Sequence, residues 1–359
     1  MKKRVIQIVV TLVFSAAALY LAFRKIEFEA VGQAFRQVAW GWLIPTQALI
    51  FGTLVLRAER WRVLLDQKVT LRDSFGLINI GYLVSAVLPA RAGDPARAIA
   101  ATLRGPVTVL AALSTVVVER VLDLFLVILI LLGTLPFVPG IQDYVSTGQV
   151  NERLSLQLVL ALSGALAVGL LAGFVLVALL PRQTMALGER VLSLLRIREM
   201  KRWLKPLSNI VEGLAVLRSP RKGLAIIGWS LALWALTVSY FLTAMQACRA
   251  FLPNPSLLKS SVATWSSAFG MIFPAQGGVG SFHFAVRESL YLGFAIPREI
   301  GFTYAVLVHA LPYLTGIVLG VLTLLTWGLS FRSLVGRATR PLEAAEAESP
   351  IPPAELPGD

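Results

Sequence analysis

The sequence is 359 residues long, 56% hydrophobic and only 15% charged, with 33 Lys and Arg against 20 Asp and Glu for a formal charge of +13. A soluble domain carries roughly 25% charged residues, so this composition, with a mean hydropathy of +0.74, excludes an ordinary water-soluble globule. One cysteine, Cys248, excludes an intramolecular disulfide, and two histidines supply no metal-ligand cluster.

In chain order, Lys2, Lys3 and Arg4 precede an apolar run to Phe23 that has no small-residue cleavage site and is long enough to span, so it reads as an uncleaved first helix. A run of about 20 apolar residues crosses the hydrocarbon layer. Full-length spans are expected at 5–23, 40–57, 107–133, 154–180, 223–248 and 300–330. The stretches 74–103 and 257–296 differ, because each is a pair of short apolar segments broken at Pro89 or Pro274. Segments of about 10–15 apolar residues are more often re-entrant or interfacial than spanning. The stretch 182–222 is basic, with Leu187, Val191 and Leu194 at helical spacing, and suits an amphipathic helix on the inner leaflet. The tail 336–359 is rich in Pro, Ala and Glu and is expected to be disordered.

The basic residues set the orientation and leave no need for a nucleic-acid partner. With the N-terminus inside, the segment carrying Arg57, Arg60, Arg62, Lys68 and Arg72 is a cytoplasmic loop after the second span. Arg104, the stretch 182–222 and the C-terminal Arg332, Arg337 and Arg340 are also inside if 74–103 and 257–296 each enter and leave on one face. The expectation is an all-α polytopic membrane protein of about six spans plus two oppositely oriented re-entrant hairpins. A ten-span alternative, with every half-segment crossing, also keeps the basic loops inside.

The two broken segments resemble each other. Leu88-Pro89-Ala90-Arg91-Ala92-Gly93-Asp94 aligns with Phe273-Pro274-Ala275-Gln276-Gly277-Gly278-Val279 at an offset of 185 residues. This predicts an inverted-topology repeat, about 5–133 and 154–330, of the kind that places a transporter's substrate between its interrupted helices. Proline and glycine break the helix, and the helix N-termini after each break point positive dipole ends at a bound anion. Two ordinary tight turns are the bland alternative.

Charge inside the third span is the second signal. Glu119, Arg120 and Asp123 lie near the middle of an apolar helix, where each costs roughly 2.5–3.5 kcal/mol unless it faces a cavity or a partner. They are either a self-neutralising cluster that fixes packing or part of a headgroup site. The first hairpin adds Pro89, Arg91, Gly93, Asp94 and Arg97, and the second adds Pro274, Gln276, Gly277, Gly278, Gly280, His283, Arg287 and Glu288. His309, in the last span, falls near Asp123 under the repeat offset. Arginines of this density favour phosphate or carboxylate, which they bind bidentately.

Arg60-Trp61-Arg62, Leu64-Leu65, the Pro89 segment, Glu119-Arg120-Val121-Leu122-Asp123 and Pro274-Ala275-Gln276-Gly277-Gly278-Val279-Gly280 together resemble the lysylphosphatidylglycerol synthase transmembrane, or flippase-like, family over nearly all of 1–335. The resemblance implies movement of modified phospholipids between leaflets; the expected setting is a bacterial inner membrane, with both termini put on the cytoplasmic side by the basic residues. Larger members of the family append a cytoplasmic aminoacyl-transferase domain, and nothing comparable follows Arg340. No Gly-Lys-Ser/Thr phosphate loop is present, so no nucleotide, cofactor or metal is expected to drive the protein. The leading expectation is a translocase for an anionic or modified lipid. The alternatives are a membrane-embedded headgroup transferase, or a non-catalytic partner that recruits a lipid-modifying synthase through 182–222.

Overall fold

The computed structural model describes residues 2–24, 26–88, 92–142, 180–194, 219–273 and 275–331, with scattered positions elsewhere. Among the described residues the chain forms helices and no strand: α1 (Lys2–Phe23), α2 (Phe28–Arg36), α3 (Leu43–Leu64), α4 (Leu71–Val87), α5 (Gly93–Ala101), α6 (Val109–Thr134), α7 (Pro181–Leu194), α8 (Pro220–Ala247), α9 (Leu257–Gly270), α10 (Ser281–Phe294) and α11 (Arg298–Trp327). Three stretches, Trp40–Leu64, Pro220–Ala247 and Arg298–Trp327, are long and apolar enough to cross a membrane. Helix α6 has 26 residues, about 39 Å at 1.5 Å per residue. It differs from those three in carrying Glu119, Arg120 and Asp123.

The expected elements at 5–23, 107–133, 223–248 and 300–330 correspond to α1, α6, α8 and α11 within a few residues. The span expected at 154–180 and the tail 336–359 lie largely outside the described residues, as does most of 182–222. Its described part, α7, leaves Leu187, Val191 and Leu194 exposed. One boundary is corrected. The span expected to end at 57 runs on to Leu64, so Arg57, Arg60 and Arg62 belong to α3 and not to a loop after it. The apolar run stops at Arg57, but Ala58, Trp61, Val63 and Leu64 carry the buried face onward. Helix α2 is also unanticipated; Val31 packs with Ala22, Ile26 and Phe302.

Two helical hairpins organise the interior. In the first, the Thr70 hydroxyl caps α4 by accepting from the Asp73 N–H at 3.1 Å. Helix α5 then folds back so closely that a Cβ on Gly93 would stand 1.9 Å from the Gly81 carbonyl oxygen. In the second, Ser256 caps α9 in the same way, accepting from the Lys259 N–H at 3.3 Å. It lies one residue from the position that the 185-residue offset assigns to Thr70. The return to α10 uses Gly277, Gly278 and Gly280 at φ 57°, 72° and 91°, a region that glycine enters without steric cost. Pro89, Arg91 and Pro274 lie outside the described residues.

The helices α3–α6 and α8–α11 exchange partners across the molecule. Helices α3 and α8 run antiparallel: Thr46 donates to Thr243 at 2.9 Å, Gly52 lies against Leu236, Arg60 donates to Ser230 at 3.3 Å, and Asp66 meets Lys222. Helix α4 runs antiparallel to α11, with Gly76 against Trp327, Asn79 against Gly320, Tyr82 against Gly316, and the Ala86 carbonyl accepting from the Tyr313 hydroxyl at 3.4 Å. Shifted by 185 residues, Asn79 and Gly320 become Thr264 and Leu135. The indole of Trp265 donates to Thr134 at 3.2 Å, one residue from each. Thus α9 rests on α6 as α4 rests on α11.

Both hairpin tips stop halfway along α11, beside its internal Pro312. Ala86, at the first tip, meets Tyr313, and the Gly277 carbonyl, at the second, meets His309 Nε2 at 3.1 Å. Helix α4 reaches that point from the Trp327 end, whereas α10 leaves it toward Gly301, which faces Arg287. The tips also touch, the Gln276 side chain donating to the Ala86 carbonyl at 3.1 Å.

Candidate functional site

Where α3, α5 and α6 converge, the charges of α6 meet arginines from two other helices. Arg60, fully buried, donates from Nη1 to Asp123 Oδ1 at 2.7 Å and from Nη2 to Glu119 Oε1 at 3.2 Å. Arg97 Nη2 donates to the other Glu119 oxygen at 2.6 Å and stands 3.3 Å from Asp94. Its guanidinium lies over the Trp61 ring, 4.7 Å from the centroid, and the Trp61 indole is held by Thr115 at 3.0 Å. Asp123 also accepts from the Trp234 indole at 3.2 Å and approaches Arg57 at 3.5 Å. Nε of Arg60 and of Arg97 have no hydrogen-bond partner among the described residues.

Exposure grades this cluster into two parts. The Arg60, Glu119 and Arg97 side chains are 0%, 1% and 5% exposed, whereas those of Arg57, Asp94 and Arg120 are 20%, 28% and 49% exposed. The deep part is closed on itself by charge-assisted bonds. The shallow part opens into a cavity of about 560 Å³, within the range of roughly 300–1,000 Å³ usual for small-molecule sites. Its walls carry Arg57, Tyr82, Ser85, Asp94, Arg97, Arg120, Asp123 and Trp234, closed by Gln276, Gly277 and Gly278 of the second tip. Four guanidiniums, of Arg57, Arg60, Arg97 and Arg120, face three carboxylates, of Asp94, Glu119 and Asp123. Among the described residues, then, the cluster carries one uncompensated positive charge.

The site residues read from the sequence divide accordingly. Asp94, Arg97, Arg120, Asp123, Gln276, Gly277 and Gly278 line the cavity, and Glu119 stands behind it as the partner of both deep arginines. Arg120 pairs with Asp94 at 3.1 Å more closely than with Asp123 at 3.9 Å. Gly93 and Gly280 act through packing: a Cβ on Gly280 would meet the α1 backbone at Ala18 and Leu19, both at 2.6 Å. His283, Arg287 and His309 are not on the cavity wall. His283 Nδ1 accepts from the Gly280 N–H at 3.3 Å, Arg287 donates to the Ala22 carbonyl at the end of α1 at 2.7 Å, and His309 stacks on Phe282 at 4.5 Å. Glu288 pairs with Arg298 at 2.8 Å. Arg57 and Arg60, read as loop cations, belong to the cluster as well: Arg57 lines the cavity and Arg60 pairs with Glu119 and Asp123. Two carboxylates against one arginine within α6 were the available signal, since the excess demands a cation from another helix.

The two sets of helices differ at this junction. Shifted by 185 residues, Arg60, Arg97, Glu119 and Asp123 fall on Met245, Phe282, Tyr304 and Val308, all buried in one apolar cluster with Phe241. The Tyr304 hydroxyl is satisfied by the Phe241 carbonyl at 2.9 Å. The same kind of helix junction is therefore filled by hydrocarbon in one half and by ions in the other.

Residues 8–320 match the family described as the lysylphosphatidylglycerol synthase TM region. No curated protein and no solved structure matches the chain. With nearly the whole helical region covered, the chain belongs to the lysylphosphatidylglycerol synthase transmembrane family.

Proposed function

We propose that the protein is a lipid translocase of the bacterial inner membrane, moving an anionic or modified lipid headgroup between leaflets without nucleotide. Residues 1–335 form the transmembrane domain, with 5–133 and 154–330 as inverted repeats, 74–103 and 257–296 as re-entrant hairpins, and both termini cytoplasmic. The observation that carries this reading is the convergence of both hairpin tips and the α6 charges on one cavity. The antiparallel α3–α8 seam supports inversion, because a two-fold axis relating neighbouring helices leaves them antiparallel only when it lies across them. The approach of α4 and α10 to the middle of α11 from opposite ends supports hairpins that enter from opposite faces. Backbone broken at membrane depth is tolerated where protein or a watered cavity receives its polar groups.

In this mechanism the headgroup enters the cavity while its hydrocarbon stays in lipid. The excess positive charge attracts one negative phosphate, and the half-buried Arg57 and the exposed Arg120 are the guanidiniums that reach it. Arg60, Arg97 and Glu119 hold those groups in place from behind. A packing role alone does not account for the ions, since the matching junction of the second half packs without them and buried ion clusters are seldom the most stabilising choice.

The test is reconstitution in liposomes with a panel of fluorescent lipids that includes phosphatidylglycerol and lysylphosphatidylglycerol. Arg57→Ala is expected to slow headgroup transfer by about ten- to a hundredfold, the worth of one hydrogen bond to a charged group. Its melting temperature should stay near that of the parent, because Asp123 keeps Arg60. A parent protein that moves no lipid in the panel, or an Arg57→Ala protein as fast as the parent, would overturn the proposal.

A further inference from the structure

A second concavity lies on the outer side of α6, lined by Leu113, Val116, Val117, Val121 and Leu124 and bordered by Asp94 and Arg120. Its volume is about 520 Å³. Asp94, Arg120 and Leu124 border both this groove and the central cavity, so the two are continuous across the α5–α6 junction. The groove residues recur at helical spacing and make one stripe along α6, about 16 Å long from Leu113 to Leu124 at 1.5 Å per residue. Away from the junction its wall is wholly apolar, and Val117 is 43% exposed.

We infer that this stripe is a binding track for one hydrocarbon chain of a phosphate-bearing lipid, and that the Arg120–Asp94 pair is the side door through which its headgroup passes. The inference rests on the proposed translocase reading and adds to it where the lipid enters and what holds its tail. The chemistry of the two surfaces is matched to an amphipath. A charged group bound at Arg120 from the cavity side puts the attached chain against the apolar stripe. The door costs little to open. When a phosphate takes Arg120, Asp94 keeps Arg97 at 3.3 Å, so no carboxylate is stranded. A water-soluble phosphate would use the arginines but leave the groove without an occupant.

Two phosphatidylglycerol probes separate the parts of this idea, one with a diazirine on an acyl chain and one with it on the headgroup, each in nanodiscs of phosphatidylglycerol and phosphatidylcholine. The acyl probe is expected to label the peptide 113–124 well above the exposed Leu224, Ile227 and Leu231 of α8, which lie in no such groove. Val117→Trp projects from an already exposed position and fills the groove, and Leu113→Trp narrows it at its far end from a partly buried position. Each should lower acyl labelling by about tenfold, the worth of two displaced methylene groups. Leu129→Trp, on the same helix and equally exposed at 43% but outside the groove, should leave it unchanged. Acyl labelling of α6 no stronger than that of α8, or undiminished in both tryptophan variants, would overturn the track. If the headgroup probe still labels the cavity wall in that case, the translocase reading stands without it. Labelling of the groove with no labelling of the cavity would instead keep the track and remove the translocase reading.

Discussion

Arg60→Ala is expected to lower the unfolding free energy by about 3–5 kcal/mol, the range for removing one partner of a buried ion pair. The side chain is fully enclosed and serves Glu119 and Asp123 at once. Its loss leaves Glu119 with Arg97 as its ion-pair partner, and Asp123 with the Trp234 indole and the longer contacts to Arg57 and Arg120. The measurement is the melting temperature of purified protein in nanodiscs, where Arg60→Ala should fall well below Arg57→Ala. The companion variant removes two cations and two anions together: Arg60→Met, Arg97→Met, Glu119→Leu and Asp123→Leu. Its melting temperature should recover most of the loss, because the second half already fills the corresponding junction with Met245, Phe282, Tyr304 and Val308. Lipid transfer should be abolished in the same protein. A quadruple variant as unstable as Arg60→Ala would mean that the ions set the fold, and the case for a working site would weaken with it.

Gly93→Ala should cost about 3 kcal/mol, the upper end for overpacking, despite adding a single methyl group. The new Cβ would lie 1.9 Å from the Gly81 carbonyl oxygen and 2.2 Å from Ser85 Oγ. The first neighbour is backbone on the facing helix, so no rotamer change relieves it. The hairpin must spread, which carries Asp94 and Arg97 away from α6 and disables the cavity along with the stability. Gly133→Ala is the control, since nothing lies within 4 Å of the added atom and alanine favours a helix interior by about 1 kcal/mol. Equal melting temperatures for the two variants would show that the α4–α5 approach is looser than described.

Much of the architecture was legible in the apolar pattern and its interruptions. Helix α10 falls inside the stretch 257–296, where Gly280 before Ser281 and the end of the apolar run at Phe294 punctuate it. The two hairpins were legible because proline and glycine break helices in a way hydropathy preserves. Arg57 and Arg60 were not. A cation after an apolar run reads as a flank under the positive-inside rule, and the carboxylates that bury Arg60 are 59 and 63 residues away in sequence. His283, Arg287 and His309 lie off the cavity wall for the opposite reason. Position relative to a turn says that a residue is near the tip, but side-chain direction decides whether it meets the cavity, a helix end or an aromatic ring. Helix α2 carries too few apolar residues for a window tuned to bilayer spans.

The exchange of partners between the two sets of helices also governs how the protein can be made. Helix α4 packs along α11, where Gly316 and Gly320 admit Tyr82, Asn79 and Leu83. About 250 residues separate Gly76 from Trp327, so at 5–20 residues per second the ribosome needs roughly 10–50 s to supply that neighbour. Through that interval the first hairpin is synthesised but has one face uncovered, and Arg60 lacks Ser230 until α8 arrives. The cavity is therefore a late feature, and no N-terminal fragment that stops short of the second hairpin tip contains all of its wall.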